Sequence, residues 1–173
     1  MHYHLNCRLT IRLIMLLSLS FFLFGCKNEV GAGPMAPDFS LKDLSGKEVT
    51  LKQYRGSVVI LDFWASWCPP CRAAIPELVG LQEKYKKKGL VILGISLDNP
   101  KRVNDKYLQA FGERFKVNYP IMRFNLDVVE KYFGRQAPSL PTMYVIDREG
   151  QVRDMIEGLD PDALNKSVES LIK

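Results

Sequence analysis

The feature that most limits how this chain can fold is a change of hydrophobic period around residue 68. Ser57 to Ala65, SVVILDFWA, is a nearly continuous apolar, β-branched run, which predicts a central strand buried on both faces. From Cys71 onward the apolar residues Ala74, Ile75, Leu78, Leu81 and Tyr85 recur at intervals of three and four, which is one face of a helix. A buried strand passing straight into an amphipathic helix is the unit from which α/β domains are built. At the junction stands W-C-P-P-C, residues 67–71, so the stretch that sets the fold also carries two thiols.

The rest of the pattern agrees with that class. PDFSLKDLSGKEVTLKQY alternates apolar and polar residues on both sides of LSGK, as a short hairpin does. The lysines of KYKKKG, 84–89, close the first helix near its negative end, with Gly89 as its C-cap. LVILGISLD, 90–98, reads as a second buried strand; KRVNDKYLQAFGERF, 101–115, and LDVVEKYFG as helices; YPIMRF as a short strand between them. TMYVID, the turn DREG and QVRDMIEG form a hairpin, and a last helix starts at Pro161 with Asp160 as N-cap. Together these predict an α/β sandwich with a mixed sheet. A chain of 173 residues that is 47% hydrophobic suits one such domain plus a short appendage.

The appendage is N-terminal. Arg8 and Arg12 precede the apolar run LIMLLSLSFFLF, Leu13–Phe24, which is shorter than the roughly 20 residues that span a bilayer. It reads as the core of a signal peptide covering 1–25. The following L-F-G-C ends in Cys26 and resembles the bacterial lipobox, which implies a lipidated N-terminal cysteine, although Phe24 is larger than that pattern usually holds. KNEVGAGPMAP, 27–37, is polar and rich in Gly and Pro, so residues 26–36 read as a tether to a membrane surface and 37–173 as the folded domain. Loss of Arg8 and Arg12 lowers the net charge from +5 to +3, too mild to suggest nucleic acid as a partner.

This processing simplifies the thiol chemistry. With plain signal cleavage or an uncleaved anchor as the alternatives that Phe24 leaves open, lipoprotein processing would remove Cys7 with the signal, together with His2 and His4, and place lipid on Cys26, so that Cys68 and Cys71 would be the remaining cysteines. A disulfide framework is thereby excluded, and a four-ligand zinc site built from this chain alone lacks ligands. Three readings of the pair stay open: redox exchange, half of a metal site shared with a partner, or inert buried thiols.

DFWASWCPPC with a later L-P-T resembles the thioredoxin superfamily. The lead-in APDFSLKDLSGKEVTL and the segment ISLDNP, followed by extra helix and YPI, are similar to its membrane-associated thiol-disulfide oxidoreductase branch. The resemblance spans about residues 34–173. It implies a three-layer α/β/α sandwich with a central mixed sheet, an N-terminal hairpin extension and a helical insertion. It also implies exchange of disulfides with protein substrates, as a reductant, for example of cytochrome c precursor thiols. A membrane protein would supply the electrons, the Cys68–Cys71 disulfide would be the redox centre without a further cofactor or metal, and the exported protein would act as a monomer facing the periplasm or cell exterior.

The residues themselves support that chemistry. Cys68 lies where unpaired backbone N–H groups and the helix dipole favour an anion, so its thiolate should be more populated than that of a free cysteine, with its pKa of about 8.5. Cys68 is then the exchanging thiolate and Cys71, one turn along, the resolving thiol. Pro69 and Pro70 stiffen the loop between them. Asp62 interrupts the apolar strand; it is either a buried carboxyl that takes and returns the Cys71 proton through water, or an acid facing solvent or an amide. The lysine that thioredoxins set beside this aspartate is missing from LVILGISL, and Ala74 stands where many branch members carry an acid. By resemblance, Leu140, Pro141 and Thr142 form the cis-proline segment that docks an extended substrate, with Pro138 as the competing proline. Trp67 covers the face of the site, Trp64 belongs to the core, and Pro76 bends the supporting helix.

Two other function classes share parts of this pattern. A thiol peroxidase would share the lead-in segment, but peroxiredoxins place a threonine three positions before the reactive cysteine, where this chain has Ala65. A metal-delivery lipoprotein would use the two thiols as soft ligands.

Overall fold

The structure, a computed structural model, describes residues 33–172. Its elements are β1 (Ser40–Lys42), β2 (Glu48–Thr50), β3 (Val58–Trp64), α1 (Pro69–Tyr85), β4 (Leu90–Ser96) and α2 (Asp105–Arg114), followed by β5 (Ile121–Arg123), α3 (Leu126–Phe133), β6 (Thr142–Ile146), β7 (Val152–Glu157) and α4 (Pro161–Leu171). The main sheet has the order β5-β4-β3-β6-β7. β3 runs parallel to β4, and β4 to β5, whereas β6 is antiparallel to both β3 and β7. The sheet is therefore mixed, and the fold is thioredoxin-like. The signal segment and Cys26 lie outside the described residues.

β3 occupies the centre because its sequence allows nothing else: all seven of its residues are buried. Alternate side chains leave on opposite faces. Val58 and Ile60 pack with Ala74, Leu78 and Leu81 of α1 and with Leu164 and Val168 of α4. Val59, Leu61 and Phe63 enter the opposite core with Val128 of α3 and with Phe39, Leu41 and Val49 around the hairpin. Helices cover both faces, which gives the three layers.

The N-terminal extension forms as a separate two-stranded sheet, β1 antiparallel to β2. It joins the edge at β5 through the Leu44 N–H, which donates to the Ile121 carbonyl at 3.1 Å. The chain is bound ahead of the expected boundary at Pro37. The Val152 N–H donates to the Pro34 carbonyl and the Ala36 N–H to the Gly150 carbonyl, each at 2.9 Å, and Ala36 is buried. Pro34 to Ala36 thus belong with the domain rather than with a free tether.

Two helix ends differ from expectation. α1 stops at Tyr85, and Lys86–Lys88 tighten into a single 3₁₀ turn that ends at Gly89, whose φ of +89° is the left-handed conformation glycine adopts without strain. α2 starts at Asp105 rather than Lys101, because the Asn104 side chain caps it by accepting from the Tyr107 N–H at 2.8 Å. The residues before it turn around Asn99, whose side chain accepts from the Lys101 N–H at 2.9 Å. At the last helix the Asp160 carboxylate accepts from the Ala163 N–H at 3.0 Å, the expected cap.

Candidate active site

The site is built where β3 ends and α1 begins. Cys68 is the N-cap of α1, and the next two positions are prolines without N–H groups. The first free N–H of the helix is consequently that of Cys71, and it donates to Cys68 Sγ at 3.2 Å. The two sulfurs are joined as a disulfide, with Cα atoms 5.3 Å apart. When the pair is reduced, the same N–H and the positive end of the helix face the Cys68 sulfur, which favours the thiolate.

Access is uneven. Cys68 is 3% exposed and Cys71 2%, whereas Trp67 is 65% exposed. Pro69 and Pro70 are exposed as well. Trp67 and the two prolines form an apolar rim around a sunken disulfide. Trp64, by contrast, is core: it packs with Ala65, Cys68, Cys71 and Ile75 and stacks on Phe111 at 5.2 Å between ring centroids. Pro76 lies inside α1 at an exposed position, where its missing N–H costs one bond on the solvent side.

Asp62 lies on the face of β3 that meets α1, between Ile60 and Trp64. It is 3% exposed, and among the described residues its Oδ1 has no hydrogen-bond partner. Burial alone raises its pKa to about 7. Opposite it on β4 stands Gly94. A Cβ there would lie 3.1 Å from Trp64 Nε1 and 3.2 Å from the Tyr119 ring, so this neighbour has no room for the lysine side chain that thioredoxins use. Tyr119, held neutral by burial and by the nearby Asp62, closes the same space. Of the two readings of Asp62, the solvent-facing one is excluded.

The Leu140–Pro141 peptide bond is cis, and the competing Pro138 is not. Leu140 is half-buried and Pro141 buried. Thr142 behaves differently from a substrate-binding residue. It is fully buried, its hydroxyl donates to the Ser139 carbonyl at 2.7 Å, and it is paired with Phe63 on one side and Glu157 on the other. Thr142 therefore shapes the cis-proline loop rather than offering a free group to a substrate.

One residue with a clear part in the site has no signal in the sequence pattern. Asp98, fully buried, accepts from the Ser66 N–H at 2.9 Å, the Ser66 hydroxyl at 2.8 Å and the Ser96 hydroxyl at 2.9 Å. It ties the loop that carries Trp67 and Cys68 to the end of β4. Arg123 locks the far side, donating to the Asp98 carbonyl at 3.3 Å and pairing with Asp105 at 2.7 Å. Within LDNP an aspartate looks like a turn former, and its partner Ser66 lies too far back in the chain for any local spacing to reveal.

The model of the AhpC/TSA family matches residues 32–155. A thiol-disulfide oxidoreductase ResA of Geobacillus thermodenitrificans is 35% identical over 95% of this chain and 94% of its own length. The thioredoxin-like protein YneN of Bacillus subtilis is also 35% identical, over 76% of each chain. Among solved structures, a putative thiol:disulfide interchange protein DsbE from Chlorobium tepidum superposes with a TM-score of 0.71 at 30% identity, covering 84% of this chain and all of its own.

Two outcomes test the buried groups. Asp62 keeps its proton in the folded state up to about pH 7, whereas the unfolded chain releases it near 3.8. The folded state thus binds more protons between these values, and stability falls as pH rises through that window. Asp62→Asn should therefore gain stability over the parent by up to about 4 kcal/mol at pH 8 and little at pH 4, measured by urea unfolding of the oxidised protein. A gain independent of pH would contradict the buried, protonated carboxyl. Asp98→Ala strands the Ser66 N–H and hydroxyl and should cost about 3 kcal/mol in the same measurement; a loss below about 1 kcal/mol would show that the loop holds without it.

Proposed function

The chain belongs to the AhpC/TSA family and is a thiol-disulfide oxidoreductase; from that premise we propose that it works outside the cytoplasm as a reductant of protein disulfides, tethered to a bacterial membrane by lipid on Cys26. The observation that carries the chemistry is the Cys71 N–H directed at Cys68 Sγ on the first turn of α1. In the reduced enzyme the Cys68 thiolate attacks one sulfur of a substrate disulfide, forming a mixed disulfide and releasing the first substrate thiol. Asp62, ionised at that moment, takes the Cys71 proton, and the resulting thiolate attacks Cys68 Sγ. The second substrate thiol leaves with a proton, and the enzyme is left as the Cys68–Cys71 disulfide. The substrate has gained two electrons and two protons.

Trp67, Pro69 and Pro70 form the rim against which the substrate lies, with Leu140 and Pro141 as the docking edge. Electrons return from a membrane dithiol donor, and no cofactor beyond the cysteine pair takes part. The export signal and the lipobox-like Cys26 support an oxidising compartment, in which disulfides persist and a reductant has substrates. Cytochrome c precursors, whose haem-attachment thiols must stay reduced, are the substrates we assign, and the protein acts as a monomer. The peroxidase alternative is disfavoured by Ala65, fully buried and without a hydroxyl where peroxiredoxins have threonine.

Trapping tests the reading directly. Cys71→Ser should accumulate mixed disulfides on Cys68 with exported cysteine proteins, which release on reduction, while Cys68→Ser should accumulate none. A folded Cys71→Ser that captures no protein would overturn it. Equilibration with glutathione should place the pair near the thioredoxin value of about −270 mV; a value near −120 mV would reverse the direction to oxidant.

A further inference from the structure

Beside the cysteine pair, Arg72 at the start of α1 and the residues Tyr107, Ala110, Phe111, Arg114 and Phe115 of α2 and its end border an open groove of about 390 Å³. Arg72 immediately follows Cys71 on α1. Tyr107, Phe111 and Arg114 lie along one face of α2, at the helical spacings of four and three. The floor is aromatic and continuous with the site: Trp64, packed against both cysteines, stacks on Phe111, and Phe111 stacks on Phe115 at 4.4 Å between centroids with an interplanar angle of 27°. Tyr107, 53% exposed, stands at the mouth.

The charge of this groove is uncompensated. Neither Arg72 nor Arg114 takes part in an ion pair or a side-chain hydrogen bond among the described residues, although Arg123 and Arg153 both find carboxylates. Glu113, the acid next to Arg114, lines a different cavity with Asp43 and Lys116 on the other side of α2. Two free guanidinium groups over an aromatic floor make a site for a carboxylate on a flat or apolar stem, since the guanidinium fork matches a carboxylate and the rings accept its methylenes. Arginine and aromatic residues are also the types that dominate protein docking surfaces.

We propose that this groove is a specificity subsite for polypeptide substrates, taking a Glu or Asp side chain that lies within a few residues of the substrate cysteine. The inference rests on the oxidoreductase reading above and adds a substrate class to it. While Cys68 Sγ is engaged with the substrate sulfur, the neighbouring acid sits between Arg72 and Arg114, fixing the direction in which the substrate chain crosses the rim. The acidic partner is also steered electrostatically, so the preference appears in kcat/KM and weakens with salt.

The test uses the reduced protein and a set of disulfide-bonded peptides identical except for Glu, Gln or Lys at positions two to four residues from the cysteine. At low ionic strength the second-order rate constant for one stoichiometric reduction, which stands for kcat/KM here, should fall in the order Glu, Gln, Lys over about tenfold, and added salt should flatten the order. Arg114→Gln and the pair Arg72→Gln, Arg114→Gln should bring the Glu-to-Gln ratio to near one, a comparison made within each variant and so independent of its overall rate. Equal turnover of all three peptides by the parent, an order that survives in the double variant, or an arginine-dependent turnover confined to glutathione disulfide would each overturn the subsite. Failure to reduce any peptide would overturn the oxidoreductase reading and the subsite with it, whereas equal reduction of all would remove the subsite alone.

Discussion

Everything in this domain converges on one short contact, the Cys71 N–H to Cys68 Sγ at the first turn of α1. A helix start has unsatisfied N–H groups, and most proteins cap them with a hydroxyl or carboxylate. Here the cap is a cysteine sulfur, and two prolines remove the N–H groups that would compete for it. The helix dipole and its first available donor are thereby directed at one reactive atom. The remaining architecture holds that arrangement in place: β3 is clamped between two cores, so its end cannot drift, and Asp98 pins the Ser66 backbone from the loop that follows β4.

Behind the contact lies Asp62, which with the Trp64 indole N–H is one of two buried side chains among the described residues that hold a polar atom without a partner. Asp62 is surrounded by Trp64, Tyr119 and a glycine, and among the described residues no cation neutralises it. Burial without a partner is costly to stability, and a carboxyl that titrates near neutrality is useful to a thiol that must lose a proton. This chain omits the lysine found beside the acid in thioredoxins, and Gly94 shows why: the space is filled by the Trp64 and Tyr119 rings. The aromatic packing beside Asp62 also extends through Phe111 and Phe115 to the arginine groove, so the proposed proton relay and the proposed substrate subsite share one column of rings.

Much of this was legible in the sequence because it depends on short periods. The two-sided burial of β3, the apolar face of α1 through Ala74, Leu78 and Leu81, and the Asp160 cap all follow from residues within a turn or two of one another. Family resemblance supplied what spacing alone does not, including the cis peptide before Pro141. What local spacing does not reveal has a common cause, which is distance along the chain or competition between neighbours. Asp98 gains its meaning from Ser66, on another strand-end loop. Thr142 matches a binding motif, but its hydroxyl is taken by Ser139. The helical pattern reaches back to Lys101, but Asn104 outcompetes the earlier residues as a cap and α2 starts at Asp105. Arg72 and Arg114, read singly, look like solvated helix surface; they border one groove because the start of α1 and one face of α2 meet at the core around Trp64 and Phe111.

The central claim is that the start of α1 activates Cys68 in preference to Cys71. Its most direct measurement is the pH dependence of iodoacetamide alkylation of the fully reduced protein, with the modified cysteine identified at each pH. Alkylation of Cys68 should follow a single ionisation clearly below the free-cysteine value of about 8.5, with Cys71 reacting far more slowly across the range. A Cys68 midpoint at or above 8.5, or equal reactivity of the two thiols, would contradict it.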